Sequence, residues 1–85
     1  AAALEKFPQQ LISVRAQREG LAACEPLWSA IAAEEAVLGD EGRIVVRASG
    51  TEPLVRVMVE ARDPEACARI ARDLVAIVER ELPAA

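Results

Sequence analysis

Apolar and polar positions alternate in three stretches of the chain and recur at helical spacing in two others. In residues 10–16 (QLISVRA) Ile12 and Val14 point one way and Ser13 and Arg15 the other, which predicts a strand. Residues 43–48 (RIVVRA) predict a second strand, with Ile44, Val46 and Ala48 toward the core and Arg43, Val45 and Arg47 on the other face. Residues 54–61 (LVRVMVEA) predict a third, dividing Val55, Val57, Val59 and Ala61 from Leu54, Arg56, Met58 and Glu60. Only a short loop joins the last two, so they should be antiparallel neighbours.

Between the first two strands lies a polar connection, 17–24, containing Gly20. Pro26 suits the first turn of a helix, where its missing N–H costs nothing. Leu27, Ile31, Glu34/Glu35 and Leu38 then follow helical spacing, Trp28 is expected in the core, with a first-turn position facing a neighbouring domain as the alternative, and Gly39 ends the helix ahead of a GDEG turn at 39–42. After the third strand, Asp63-Pro64-Glu65 combines a capping carboxylate, a first-turn proline and an acid that complements the helix dipole. Cys67, Ile70, Ala71, Leu74, Ile77 and Val78 make one apolar stripe behind it. The order is β-α-β-β-α. It predicts an α+β fold: an antiparallel sheet of three to four strands with two helices packed on one face. A fourth strand would fall near 3–8 or within 17–24.

The 85 residues make a single domain, 1–85. Phe7 and Trp28 are its only aromatics, so the core is aliphatic. The net charge of −4 argues against nucleic acid as a partner, since a nucleic-acid binder carries a basic excess. No apolar run is long enough to span a membrane, and the first residues lack the charged and apolar regions of a signal peptide. Cys24 and Cys67 are far apart without metal or redox spacing, and read as reduced packing residues of a cytoplasmic protein. Histidine is absent, which removes the commonest general base and metal ligand. Glu34-Glu35 are helix neighbours that point in different directions, so they read as solvated or interfacial charges rather than as a catalytic pair.

One loop stands out chemically. In RASGTEPLVR (47–56) Arg47 and Arg56 flank Ser49-Gly50-Thr51. Serine and threonine hydroxyls can donate to an anion. Glycine lets backbone approach a ligand and aim successive N–H groups into one concavity. Arginine presents a planar fork suited to phosphate oxygens. The residues alone leave two readings open, a phosphate-binding loop on two rigid strands or an ordinary hairpin turn between solvated arginines.

RASGTEPLVRVMVEA resembles the C-terminal phosphate-binding signature of the α-D-phosphohexomutases. SGTEP followed by RVMVE looks most like the bacterial members that act on glucosamine phosphates. The likeness is specific over 42–62 and looser over the rest, where FPQQLISVRA resembles the segment entering this domain. The resemblance implies a TATA-binding-protein-like fold and a reversible conversion of glucosamine 6-phosphate to glucosamine 1-phosphate through a phosphoserine and a bisphosphate. It implies Mg2+ at the phosphoserine, and a phosphosugar substrate whose non-transferred phosphate is held by Arg47, Ser49, Gly50 and Thr51, assisted by Arg56. It gives Glu52 no role. The family's serine motif, metal-binding aspartate loop and sugar-recognition loop belong to three earlier domains and are not found in this sequence. Ser13, Ser29 and Ser49 lack the serine context. The expectation is therefore one domain of a four-domain enzyme, inactive alone, with the missing N-terminal domains as partners and no catalytic or metal residue of its own. A phosphomannomutase- or phosphoglucomutase-type domain, and a freestanding anion-binding module that is not an enzyme, are the alternatives.

Overall fold

The computed structural model describes residues 7–84. Its elements are β1 (Gln9–Arg15), a 3-10 turn (Arg18–Ala23), α1 (Glu25–Leu38), a second 3-10 turn (Gly39–Glu41), β2 (Gly42–Ala48), β3 (Leu54–Ala61) and α2 (Pro64–Glu81). The fold is α+β, with β3 at the centre of a three-stranded antiparallel sheet in the order β1-β3-β2.

β3 takes the centre because its inward residues are all apolar and compact. Val55, Val57, Val59 and Ala61 are each fully buried. In register across the core face stand Gln10–Val59–Ile44, Ile12–Val57–Val46 and Val14–Val55–Ala48. α2 lies over β1 and β3 and presents Cys67, Ile70, Ala71, Leu74 and Val78 to them. α1 lies over β2 and beside α2, inserting Leu27 and Ile31 into the same core. Both helices therefore cover one face and leave the other open. The edge between the helices is tied by Glu34, which accepts from the Arg69 guanidinium at 3.1 Å. Such a half-exposed pair adds only a few tenths of a kcal/mol (about 0.2–1).

Local signals set the boundaries. The Asp63 carboxylate accepts from the Glu65 N–H at 3.1 Å, and Pro64 follows as the first helical residue. α1 stops at Gly39, whose φ of 54° lies in the left-handed region that glycine tolerates. Both cysteines are free and buried. Burial pushes the Cys67 thiol above its ordinary pKa, and its Sγ lies 3.2 Å from the Val59 carbonyl, which makes it a packing group rather than a nucleophile.

Three expectations change. Residues 17–24 form no strand: the Gly20 N–H bonds the Gln17 carbonyl and the Cys24 N–H the Leu21 carbonyl, the short-range pattern of a 3-10 turn, in a segment without apolar alternation. Of the other candidate, residues 3–6 lie outside the described residues and Phe7-Pro8 is not strand, so the described sheet has three strands. Trp28 is 38% exposed rather than in the core. Leu27 and Ile31 occupy the narrow inward stripe of α1, and the indole instead donates Nε1–H to the Leu21 carbonyl at 2.8 Å. Ala48 is exposed although its parity is inward, because it ends an edge strand and lies at the mouth of the open-face cavity.

Gly42 shows how closely β2 approaches β3. A Cβ there would sit 2.4 Å from the Glu60 carbonyl oxygen and 3.1 Å from the Ala61 Cα, both backbone atoms that cannot swing aside. Gly42→Ala should therefore lower stability by about 1–3 kcal/mol, read as a fall in the urea midpoint at unchanged m-value.

Candidate functional site

The open face of the sheet is ordered in rows. Gln9, Glu60 and Arg43 form the first, where Glu60 accepts from Arg43 Nε at 2.9 Å and from Gln9 Nε2 at 3.5 Å. Leu11, Met58 and Val45 form the second, with Leu11 70% exposed. Ser13, Arg56 and Arg47 form the third. Beyond them the 48–54 loop closes the hairpin. A concavity of about 830 Å³ spans the second and third rows and this loop, with Arg43, Arg47, Arg56 and Ser49–Thr51 on its walls.

Arg47 and Arg56 are direct cross-strand partners and both are exposed. Arg18, Arg43, Arg69 and Arg80 each have a carboxylate within 4 Å, whereas Arg47 and Arg56, like Arg15 and Arg72, have none among the described residues; only Arg47 and Arg56 face one another in register. Like charges placed opposite one another in a sheet are destabilising. An anion seated between the two forks would turn that repulsion into two charge-assisted attractions.

Ser49 organises the loop. It is buried, its N–H donates to the Leu54 carbonyl at 2.9 Å, and its Oγ accepts from the Thr51 and Glu52 N–H groups at 3.3 Å each. Two of the loop's N–H groups are thus turned toward Ser49 rather than outward. The Leu54 N–H returns to the Glu52 carbonyl at 2.7 Å, a three-residue turn centred on Pro53, whose fixed φ suits it. The Pro53 carbonyl accepts from Ala16 N–H at 3.0 Å and ties the loop to the end of β1. Glu52 enters these bonds through its backbone.

Among the described residues the only φ in the left-handed region belongs to Gly39, so the loop does not draw on a left-handed Gly50. A Cβ at Gly50 would meet nothing within 4 Å, so the chain's own packing does not require glycine there.

The sequence had singled out Arg47, Ser49, Gly50, Thr51 and Arg56, and all five line the same concavity. It missed the apolar row, for which the alternation of Leu11, Val45 and Met58 on three strands was the available signal. It also missed Arg18, half-buried, whose guanidinium donates to the Ser49 carbonyl from 31 residues away. No local pattern marks a lone arginine in a polar connection for that contact. Among the described residues no group of three or more His, Cys, Asp or Glu is placed to hold a metal ion, and no helix is long and apolar enough to cross a membrane.

A central valine strand thus carries, on the open face of the sheet, a hairpin loop ordered around one serine beside two facing arginines. The chain belongs to the phosphoglucomutase/phosphomannomutase C-terminal domain family, whose model matches residues 11–77. It is similar to phosphoglucosamine mutase of Synechococcus sp. (strain CC9902), 47% identical over 85 residues, covering 95% of this chain and 18% of that protein. Phosphoglucosamine mutase of Nitratidesulfovibrio vulgaris (strain DP4) is 48% identical over 83 residues, 96% of this chain and 18% of that protein. Among solved structures, Aspergillus fumigatus N-acetylphosphoglucosamine mutase in complex with GlcNAc-6P and magnesium superposes with a TM-score of 0.71 at 26% identity, covering 87% of this chain and 16% of that one. The chain thus spans less than a fifth of the length of the proteins it matches.

Two outcomes follow from the geometry. Ser49→Ala removes the acceptor shared by two N–H groups. Hydrogen exchange of the Thr51 and Glu52 amides should accelerate while the β3 core amides keep their protection, at a cost of about 1 kcal/mol or less in global stability. Arg47→Gln relieves the repulsion with Arg56. In anion-free buffer it should raise stability by about 0.2–1 kcal/mol, visible as a higher thermal midpoint.

Proposed function

We propose that this chain is the phosphate-gripping domain of a longer, cytoplasmic phosphoglucosamine mutase, which interconverts glucosamine 6-phosphate and glucosamine 1-phosphate. The observation that carries the reading is the Arg47–Arg56 pair, in cross-strand register and without carboxylate partners among the described residues, beside a preformed Ser-Gly-Thr loop. The identity of 47% and 48% with phosphoglucosamine mutases over nearly the whole chain supports the choice of sugar.

In this reading the phosphoryl group is passed from a phosphoserine on the earlier domains, and this chain holds the phosphate that is not being transferred. Arg47 and Arg56 clamp its oxygens, the Thr51 hydroxyl donates to it, and Gly50 lets the backbone approach. The Ser49 hydroxyl keeps its proton free to donate while its oxygen orders the loop. Magnesium would supply charge neutralisation at the phosphoserine, held by ligands on the earlier domains. The bisphosphate intermediate carries a phosphate at both ends and must turn round. The same loop therefore meets both substrates and the intermediate through a group common to all three.

Binding energy from a remote phosphate orients the reacting one, so its loss lowers rate as well as affinity. In the full enzyme, Arg47→Ala should reduce kcat/KM by similar factors in both directions, roughly 30- to 1000-fold for an interaction of about 2–4 kcal/mol. Escape of the bisphosphate should rise, so added bisphosphate should restore part of the activity. Arg47→Lys should rescue only part, since an ammonium keeps the charge without the fork. Steady-state kinetics in both directions, with and without added bisphosphate, test this. Wild-type values for a normally folded Arg47→Ala would show the loop to be an ordinary turn.

A further inference from the structure

We propose that Arg18 is a positioning residue for the anion loop: by holding the Ser49 carbonyl it aims the Gly50 N–H at the bound phosphate. The inference rests on the phosphate-binding reading above and adds to it a residue that lies outside the loop.

The Arg18 guanidinium donates to the Ser49 carbonyl, and the peptide that carries this carbonyl also carries the Gly50 N–H. A trans peptide directs its C=O and N–H to opposite sides, and the described chain has no cis peptide. With the carbonyl turned to Arg18, the Gly50 N–H is turned the other way. Ser49, Gly50 and Thr51 line the concavity and Arg18 does not, so Arg18 stands behind the loop and the N–H faces forward. Among the described residues this N–H has no acceptor, while those of Ser49, Thr51 and Glu52 all have one. It is the donor that the loop's internal bonding leaves for a ligand. Nor does the protein crowd the residue from its side-chain position, since a Cβ on Gly50 would touch nothing within 4 Å.

Arg18 is itself held firmly enough to do this. On one side the Ala16 N–H bonds the Pro53 carbonyl at 3.0 Å and the Gln17 N–H the Leu82 carbonyl at 3.1 Å. On the other, the 3-10 turn buries Leu21. Its side chain is 31% exposed, and its one nearby carboxylate, Glu19, is 3.8 Å away and mostly in solvent, too loose to draw the guanidinium off the loop. A cation on a peptide oxygen also polarises that peptide and strengthens its N–H as a donor. Arg18 thus adds positive character to the site without touching the anion.

The test is a titration of the isotope-labelled 85-residue chain with inorganic phosphate, following backbone amides by NMR. In the wild type the Gly50 amide should move strongly downfield as phosphate binds. Arg18→Ala should weaken phosphate binding by roughly tenfold, as for loss of one charge-assisted bond, and largely abolish the Gly50 shift. Arg47→Ala should weaken binding too but leave the direction of the Gly50 shift intact, because the peptide is still held from behind. Arg18→Lys keeps a cationic donor and should restore part of both. Should Arg18→Ala not fold, Arg18→Lys carries the comparison, with a smaller Gly50 response expected. A Gly50 shift and affinity equal to wild type in a folded Arg18 variant would overturn the positioning role alone. Absence of any phosphate response in the wild type would overturn the phosphate-binding reading, and the Arg18 role with it.

Discussion

Everything in this domain hangs on the two-residue alternation of β3. Its inward side, Val55, Val57, Val59 and Ala61, is fully buried beneath α2 in the core that both helices share. Its outward side carries Leu54, Arg56, Met58 and Glu60 in the same stretch of backbone. Burying three valines fully contributes about 1.5–3 kcal/mol each. That energy fixes the register of β3, since a slip by one residue would place Arg56 in the core. The force that fixes the fold is thereby the force that fixes where Arg56 stands opposite Arg47. Core and site are two faces of one strand, and neither can move without the other.

The open face carries the corresponding cost. Two guanidiniums face one another there, and an apolar row lies in contact with water beside them. A fold selected for its own stability would place a carboxylate in the Arg47 row, as it does on the far side of the apolar row, where Glu60 sits between Arg43 and Gln9. The contrast between the two polar rows of the same sheet is informative because they share the same three strands and the same open face. What differs is that the chain itself neutralises one row and not the other. Stability withheld at a functional site is the ordinary trade-off between holding a fold and holding a ligand.

This division also explains what could be read in the sequence. Strand parity, the Asp63-Pro64 helix start and the Gly39 stop are local rules, each carried by a few neighbouring residues, and the structure follows them. The site residues were legible for the same reason: Arg47 to Arg56 is one hairpin, and a short loop brings its two ends together. The misplaced features depend on distant segments. Trp28 has the composition of a core residue, yet the inward stripe of α1 was already filled by Leu27 and Ile31. Ala48 has inward parity, yet the cover of the helices does not extend to the end of β2. The strand order places β3 between β2, its neighbour in sequence, and β1, 39 or more residues away in register, and no local rule supplies that second pairing. Arg18 is the extreme case, because its contact with Ser49 exists only once the 3-10 turn has docked beside the hairpin.

A site that holds a common phosphate while the rest of a sugar turns round must resist two opposite failures. A floppy loop would lose binding energy to ordering, at about 1–2 kcal/mol for each residue fixed on binding. A loop that saturated its own donors would leave nothing for the anion. Ser49 meets the first demand by engaging its N–H, carbonyl and hydroxyl oxygen at once, with bonds to Leu54, Arg18, Thr51 and Glu52. Gly50 meets the second, as the residue whose N–H the internal bonding passes over and whose missing side chain leaves room in front of it. The order of the motif then has a physical sense under the proposed function. The serine must come first, so that its hydroxyl can reach forward to the amides two and three residues on. The glycine must come next, since the peptide between the two is the one that Arg18 grips from behind. Exchanging the two residues would keep the composition of the loop and lose both the brace and the opening.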